Sequence, residues 1–298
     1  MGRDAYEASP AAREIFDAAD SALGFSLSRI CFEGPDAELL RTEVQQPAIL
    51  TTSVALLRVL QERCSPDAAF VAGHSLGEYT ALVASGSLPF EEAVRLVQAR
   101  GRFMQEAVPE GRGAMAAVLG CPAEVVEQAC RIVALETGRV VAPANYNGTA
   151  QTVIAGDAAA VELACTRAKQ EGAKRSVALP VSAPFHCELM QPAARKLALE
   201  LAAVRFSDPA PPLVSNVEAC PNADGSRVEE LLRQQVTAPV RFVEMVQRLA
   251  ADGVTRVLEI GPGRVLSGLV RRIDRKLDCQ GLSLYEEVAD AAAFAKGG

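Results

Sequence analysis

Apolar and polar positions along this chain follow two rhythms. A helical rhythm marks residues 4–25 and again 45–63, where Ala48, Leu50, Val54, Leu57 and Val59 recur on one face. A short unbroken apolar run, AAFVA at 68–72, lies between Pro66-Asp67 and Gly73 and predicts a buried strand of a parallel sheet. Gly73-His74-Ser75-Leu76-Gly77 follows, and then a helix over 78–85, so the unit reads as strand, tight turn, helix.

From residue 113 to 181 the rhythm becomes more regular. Strands are predicted at 113–119, 140–145, 151–155 and 175–181, with helices at 123–133 and 158–171. That βαββαβ order is the pattern of a ferredoxin-like subdomain, with Asn145-Tyr146-Asn147-Gly148 read as the hairpin turn between its middle strands. Helices at 187–204, 227–235, 241–251 and 265–273, with strands at 213–216 and 254–260, return the chain to α/β character, and AAAFAKGG at the end reads as a frayed tail. The expected fold is α/β. A hydrolase-like core with a parallel sheet spans 1–112 and 182–298, and the ferredoxin-like subdomain is inserted at 113–181.

Composition narrows the classes of function. The chain has 298 residues, 49% of them hydrophobic, and a formal charge of −7, which leaves no overall basic face for nucleic acid. Its two histidines, His74 and His186, are too few for a zinc site built on several imidazoles. Eight cysteines are scattered without a C-x-x-C pair, as expected of reduced thiols in the cytoplasm. MGRDAYEASP has no signal-peptide pattern, and no apolar run is long enough to span a bilayer, so a soluble protein without membrane attachment is expected.

The turn at 73–77 matches G-x-S-x-G, the nucleophile elbow, which holds a serine oxygen exposed at the positive end of a helix. Ser75 is therefore the candidate nucleophile. His74 leaves the turn in a different direction, so the candidate base is His186, placed after a strand end in VSAPFHC. In the helix that begins near Phe90, Ala93, Leu96, Val97, Arg100 and Met104 share one stripe, which turns Arg100 inward while Arg95 and Arg102 face out. An inward arginine must meet an anion, either a buried Asp or Glu or the free carboxylate of an acyl substrate. Gly261-Pro262-Gly263 has Leu266 where a dinucleotide fingerprint needs its third glycine, and is read as a strand-to-helix turn.

Taken together, GHSLGEYTALVASG, ARGRFMQEAVPEGRGAMAAVLG, VSAPFHCELMQPAA and VLEIGPGRVLSGLVRRI resemble the malonyl-CoA:acyl carrier protein transacylases of bacterial fatty-acid synthesis, from the first residues to about Ile273. The resemblance implies that Ser75 takes a malonyl group from coenzyme A, that His186 serves as base and then acid, and that the thiol of a separate acyl carrier protein receives the group. No permanently bound cofactor is implied, and malonyl-CoA enters as substrate. By the same resemblance Arg100 holds the malonyl carboxylate, the backbone carbonyl of Gln235 orients the histidine, and the Leu76 N–H is one oxyanion donor. Phe185 should crowd the substrate α-carbon, and His74 borders the substrate. Arg102, Arg112, Arg264, Arg271 and Arg272 are the candidates for docking an acidic carrier.

Family members open with a strand and a loop resembling F-P-G-Q-G-S-Q, whose glutamine supplies a second oxyanion N–H. Met1-Gly2-Arg3-Asp4 matches the residues just after that loop. Losing one such donor costs about 10²–10³ in turnover. The expectation is that Met1 is a misassigned or internal start of a longer protein. Three other readings stand beside malonyl transfer for fatty acids: a trans-acting acyltransferase of a polyketide synthase, a serine hydrolase with an unidentified acid, and a weakly active interaction protein.

Overall fold

Proline and serine, more than apolar rhythm, decide how the front of the chain is cut. The helix expected over 4–25 is two, α1 (Arg3–Ala8) and α2 (Pro10–Leu23). Ser9 Oγ accepts from the Ala12 N–H at 3.4 Å and Pro10 takes the first helical position, where its missing N–H is harmless but its ring stops the preceding helix. Two short helices that the pattern did not predict, α3 (Leu27–Glu33) and α4 (Asp36–Leu39), lead into α5 (Thr42–Gln61). This computed structural model describes residues 1–181 and 183–296.

The elbow unit is present in shortened form: β1 (Val71–Ala72), the turn, and α6 (Gly77–Ala84), but the strand is not the buried one expected, with Val71 half-buried and Ala72 exposed. Next comes α7 (Phe90–Glu106), which packs on α5. Gly101 makes that approach close, because a Cβ there would lie 2.5 Å from the Thr42 carbonyl oxygen. Residues 113–178 form β2 (Gly113–Leu119), α8 (Ala123–Thr137), β3 (Val141–Gly148), β4 (Gln151–Asp157), α9 (Ala158–Gln170) and β5 (Arg175–Ala178). All pairings are antiparallel, in the order β3-β4-β2-β5. Strand alternation sends Ala116 and Val118 toward buried residues of α8 and α9, and Met115 and Ala117 toward Cys187 and Phe185.

One expectation fails here for a tertiary reason. Asn145-Tyr146-Asn147-Gly148 is not the hairpin turn but the end of β3, and the chain reverses at Thr149-Ala150. The Tyr146 N–H donates to the Val240 carbonyl at 2.9 Å, and the Val240 N–H donates to that of Ala144 at 2.9 Å, so a distant segment holds this turn-prone sequence extended. Strand β5 stops at Ala178, short of the expected 181.

After a single 3₁₀ turn at Glu188–Met190 come α10 (Gln191–Ala202), β6 (Leu213–Val214), β7 (Pro221–Asn222), α11 (Val228–Gln235) and α12 (Phe242–Ala251). The chain closes with β8 (Arg256–Ile260), α13 (Val265–Ile273), β9 (Asp278–Leu282) and α14 (Val288–Lys296). The core sheet is mixed instead of parallel: β1 pairs parallel with β6, β7 is antiparallel to β6, and β8 and β9 form a separate parallel pair. Gly261-Pro262-Gly263 is the β8-to-α13 turn, as expected. The supposed frayed tail is mostly helical, since Val288, Ala291 and Ala292 recur at helical spacing and are buried in the main core. Its last two residues, 297–298, lie outside the described residues. Among the described residues no helix is long and apolar enough to cross a membrane.

The α5–α7 contact makes a test. Alanine normally gains about 1 kcal/mol over glycine inside a helix, but overpacking against a backbone costs about 1–3 kcal/mol. Gly101→Ala is expected to destabilise the chain by about 1–2 kcal/mol in urea unfolding; a stability gain would show that α5 and α7 are free to separate.

Candidate active site

A turn with almost no spare room sets Ser75 in place. A Cβ on Gly73 would lie 2.0 Å from the Gly77 carbonyl carbon, so only glycine allows the chain to fold back there. Gly77, the other elbow glycine, has open space around it. Ser75 itself adopts φ 53°, a left-handed conformation that costs a β-carbon residue about 1–2 kcal/mol. It is held there by its N–H, which donates to Asn216 Oδ1 at 2.7 Å, while Asn216 Nδ2 donates to the Gly73 carbonyl at 2.7 Å. Asn216 thus pins both sides of the turn from the end of β6.

His186, also at positive φ (59°), brings its ring to the serine: Nε2 lies 2.7 Å from Ser75 Oγ. Its Nδ1 is 2.8 Å from the Gln235 backbone carbonyl. A carbonyl can only accept, so Nδ1 carries the proton and the Nε2 lone pair faces the serine hydroxyl. Burial, followed by the nearby Arg100 charge, lowers the His186 pKa from 6.5 to about 3, so the resting imidazole is neutral. Among the described residues, no carboxylate bonds to the far side of the ring. The acid that a hydrolase triad would require is replaced by a peptide oxygen.

Arg100 is 2% exposed, as its place on the inward stripe of α7 predicts. The anion expected beside it is not in direct contact. Nη1 donates to Gln46 Oε1 at 2.7 Å, and Nη2 donates to Ser75 Oγ at 3.0 Å and to Gln235 Oε1 at 2.9 Å. Its Nε has no partner among the described residues, and the guanidinium lies 5.6 Å from the Tyr79 ring centroid. The nearest carboxylate in this network, that of Glu78, is reached through Gln235, whose Nε2 donates to Glu78 Oε2 at 2.6 Å.

The remaining predicted residues fall in different places. The Leu76 N–H opens α6, where no preceding turn supplies an acceptor. Phe185 is half-buried and touches both the main core and the cluster beneath the four-stranded sheet. His74 turns away from Ser75: its Nε2 lies 2.8 Å from Asn147 Oδ1 and its ring packs 5.5 Å from Phe242. Burial lowers its pKa, so it too is neutral. Among the described residues, no cluster of three or more His, Cys, Asp or Glu side chains could hold a metal ion.

Sequence reasoning overlooked Gln46, Glu78, Asn147 and Asn216. Glu78 left a readable trace as a single acid in the otherwise apolar stretch LGEYTALVA, and Gln46 sits among residues that are nearly all buried on α5. Nothing local marks Asn147 or Asn216, because their partners lie 73 and 141 positions away.

A serine aligned with a neutral imidazole, under a buried arginine, is an arrangement suited to acyl chemistry, and the acyl transferase domain family matches residues 1–288. The chain is 50% identical to the malonyl CoA-acyl carrier protein transacylase of Bacillus subtilis, over 93% of this chain and 87% of that one. It therefore belongs to the malonyl CoA-acyl carrier protein transacylase family. Among solved structures, that of the malonyl CoA-acyl carrier protein transacylase from Coxiella burnetii superposes with a TM-score of 0.96 at 41% identity, covering 99% of this chain and 93% of that chain. A malonyl-transacylase solved in complex with a type II PKS acyl-carrier protein superposes with a TM-score of 0.95 at 43% identity, covering 98% and 94%.

The two elbow glycines should respond differently to alanine. Gly73→Ala is expected to cost about 3 kcal/mol or more, or to expel Ser75 from the turn. Gly77→Ala should change stability by less than about 1 kcal/mol. Thermal melting with fluorophosphonate labelling of Ser75 reads both, and equal behaviour of the two variants would contradict the elbow geometry.

Proposed function

We infer that this chain transfers a malonyl group from malonyl-CoA to the phosphopantetheine thiol of acyl carrier protein through a malonyl-serine intermediate, as in fatty-acid synthesis. The observation that carries the reading is Ser75 Oγ held at once by the His186 imidazole and by a buried arginine without a directly paired carboxylate. A hydrolase needs the first of these and has no use for the second.

In the acylation half, the Ser75 hydroxyl gives its proton to His186 Nε2 as Oγ attacks the thioester carbonyl. The Leu76 N–H at the helix start stabilises the oxyanion. Collapse breaks the C–S bond, and the departing coenzyme A sulfur takes the proton from His186. The carrier thiol then gives His186 a proton and attacks the ester. The second collapse returns that proton to Ser75, so no proton is gained or lost over the cycle. Gln235 keeps the ring in the required tautomer through its backbone carbonyl, in place of the acid of a triad. The malonyl carboxylate, seated on Arg100, neutralises a charge that otherwise depresses His186, so the correct substrate raises the basicity of its own catalyst. The reading calls for no resident cofactor.

A ferredoxin-like subdomain over 113–181, set into a hydrolase-like core of 1–112 and 182–298, would form the second wall of the cleft. The strand order β3-β4-β2-β5 supports this division, and the His74–Asn147 bond ties the elbow to that wall at the edge of the substrate site. For carrier docking, Arg102, Arg271 and Arg272 are the stronger candidates, because Arg264 pairs with Glu287 and Arg112 lies 3.6 Å from Asp157. A cytoplasmic setting agrees with eight unpaired cysteines, most of them buried. Delivery to a polyketide carrier is a second reading, favoured by the structural neighbour solved with such a carrier.

Incubation with malonyl-CoA followed by mass spectrometry should find the malonyl group on Ser75; rapid release of free malonate without carrier would instead indicate a hydrolase. Arg100→Ala is expected to lower kcat/KM for malonyl-CoA by about 10²–10³ and to affect acetyl-CoA far less, since only malonyl loses a buried charge pair.

Phe185, ahead of the base, should exclude an α-methyl group, which is worth about 10–200-fold in discrimination. Competition between malonyl-CoA and methylmalonyl-CoA should favour malonyl, with Phe185→Ser narrowing the ratio. Equal use by the unaltered chain would sink this assignment.

A further inference from the structure

Beneath the nucleophile lies a carboxylate that the transfer steps do not use. Glu78 is fully buried on α6, and its hydrogen-bond partners among the described residues are donors. Gln235 Nε2 donates to Oε2 at 2.6 Å, and the Asn216 N–H is shared between Oε1 at 3.4 Å and Oε2 at 3.3 Å. The groups that face it are the Arg100 guanidinium from α7, the Tyr79 phenol from its own helix, the Gln235 amide from α11 and the Asn216 backbone from the end of β6. That environment fits an anion, or an acid that keeps its carbonyl oxygen toward Gln235.

The amide of Gln235 is the part that this carboxylate controls. A primary amide presents oxygen on one side and N–H on the other, and nothing in Gln235 alone chooses between the two orientations. With Glu78 on one side and Arg100 on the other, only one orientation satisfies both: Nε2 toward Glu78 and the Ser75 carbonyl (2.9 Å), Oε1 toward Arg100. The backbone carbonyl of this same residue receives the His186 Nδ1 proton. One side chain therefore joins the arginine, the serine backbone and the base.

We propose that Glu78 is a positioning residue for acyl transfer, locking the Gln235 amide and so setting both Arg100 and His186 against Ser75. This rests on the malonyl-transfer reading above and extends it. A malonyl carboxylate arriving at Arg100 places a second anion in the same enclosure, so seating the substrate favours protonation of Glu78. Burial raises its pKa to about 7, with Gln235, Asn216 and Arg100 opposing the rise. Because the charged form repels the incoming carboxylate, KM for malonyl-CoA should climb as pH rises through about 7. The protonated acid still offers its carbonyl oxygen to Gln235, so the lock persists on the acid side.

The test compares malonylation of Ser75 by malonyl-CoA with labelling of Ser75 by a neutral fluorophosphonate, which needs Ser75 and His186 but no carboxylate site. For the unaltered chain, KM for malonyl-CoA should show an ionisation near neutrality that fluorophosphonate labelling lacks. In Glu78→Gln, whose N–H₂ would face the Asn216 donor, that step should vanish. Misplacement of the reacting groups should lower kcat/KM for malonyl-CoA by about 10²-fold, and labelling should slow as well. Restoring an acceptor toward both donors with Glu78→Asp should recover part of the loss, which a purely packing role would not predict. Native kcat/KM and an unchanged pH profile in a folded Glu78→Gln chain would overturn the proposal, as would absence of the KM step in the unaltered chain. If the unaltered chain takes up no malonyl group, the transfer reading fails instead, and native-rate labelling of Glu78→Gln then decides against Glu78 separately.

Discussion

Burial of one positive charge organises this site. A guanidinium taken out of water loses several kcal/mol of hydration unless the protein returns it as hydrogen bonds and a counter-charge. Around Arg100 the return comes from four separate elements: Gln46 on α5, Ser75 at the elbow, Gln235 at the end of α11 and, through that amide, Glu78 on α6. Each must arrive in register for the charge to be tolerable. The requirement that keeps the arginine satisfied thus also brings Ser75, Gln235 and His186 together.

The same economy of groups explains the form of the base. His186 is oriented by a peptide carbonyl, which fixes the tautomer as a carboxylate would but adds no negative charge next to Arg100. A carboxylate in its place would set a negative charge beside that arginine. Glu78, one amide away, already supplies a carboxyl group to this enclosure.

How much of this was legible in the sequence depended on how local the cause was. The elbow at 73–77 and the inward face of Arg100 were readable because turn sterics and helical periodicity act within a dozen residues. His186 was found by scarcity, as the one imidazole not spent on the elbow, and Gln235 only by resemblance. Local rules failed wherever a remote segment intervened: NYNG satisfied every requirement of a turn, yet Val240 pairs with it and keeps it extended. AAAFAK reads as a frayed end because it lies at the chain terminus, yet the main core covers its apolar face.

The amino-acid sequence by itself determined the local features: a serine in a turn that admits only glycine at Gly73, an arginine that helical spacing must bury, and two histidines of which one belongs to the turn. Only the tertiary structure decided what those residues touch. Gln46 and Arg100 are 54 positions apart, and Asn216 and Glu78 are 138 apart, distances over which side-chain pattern carries no information about hydrogen-bond partners. Periodicity encodes the side of an element that is buried. The identity of the donor or acceptor waiting there is set by where the other elements come to rest.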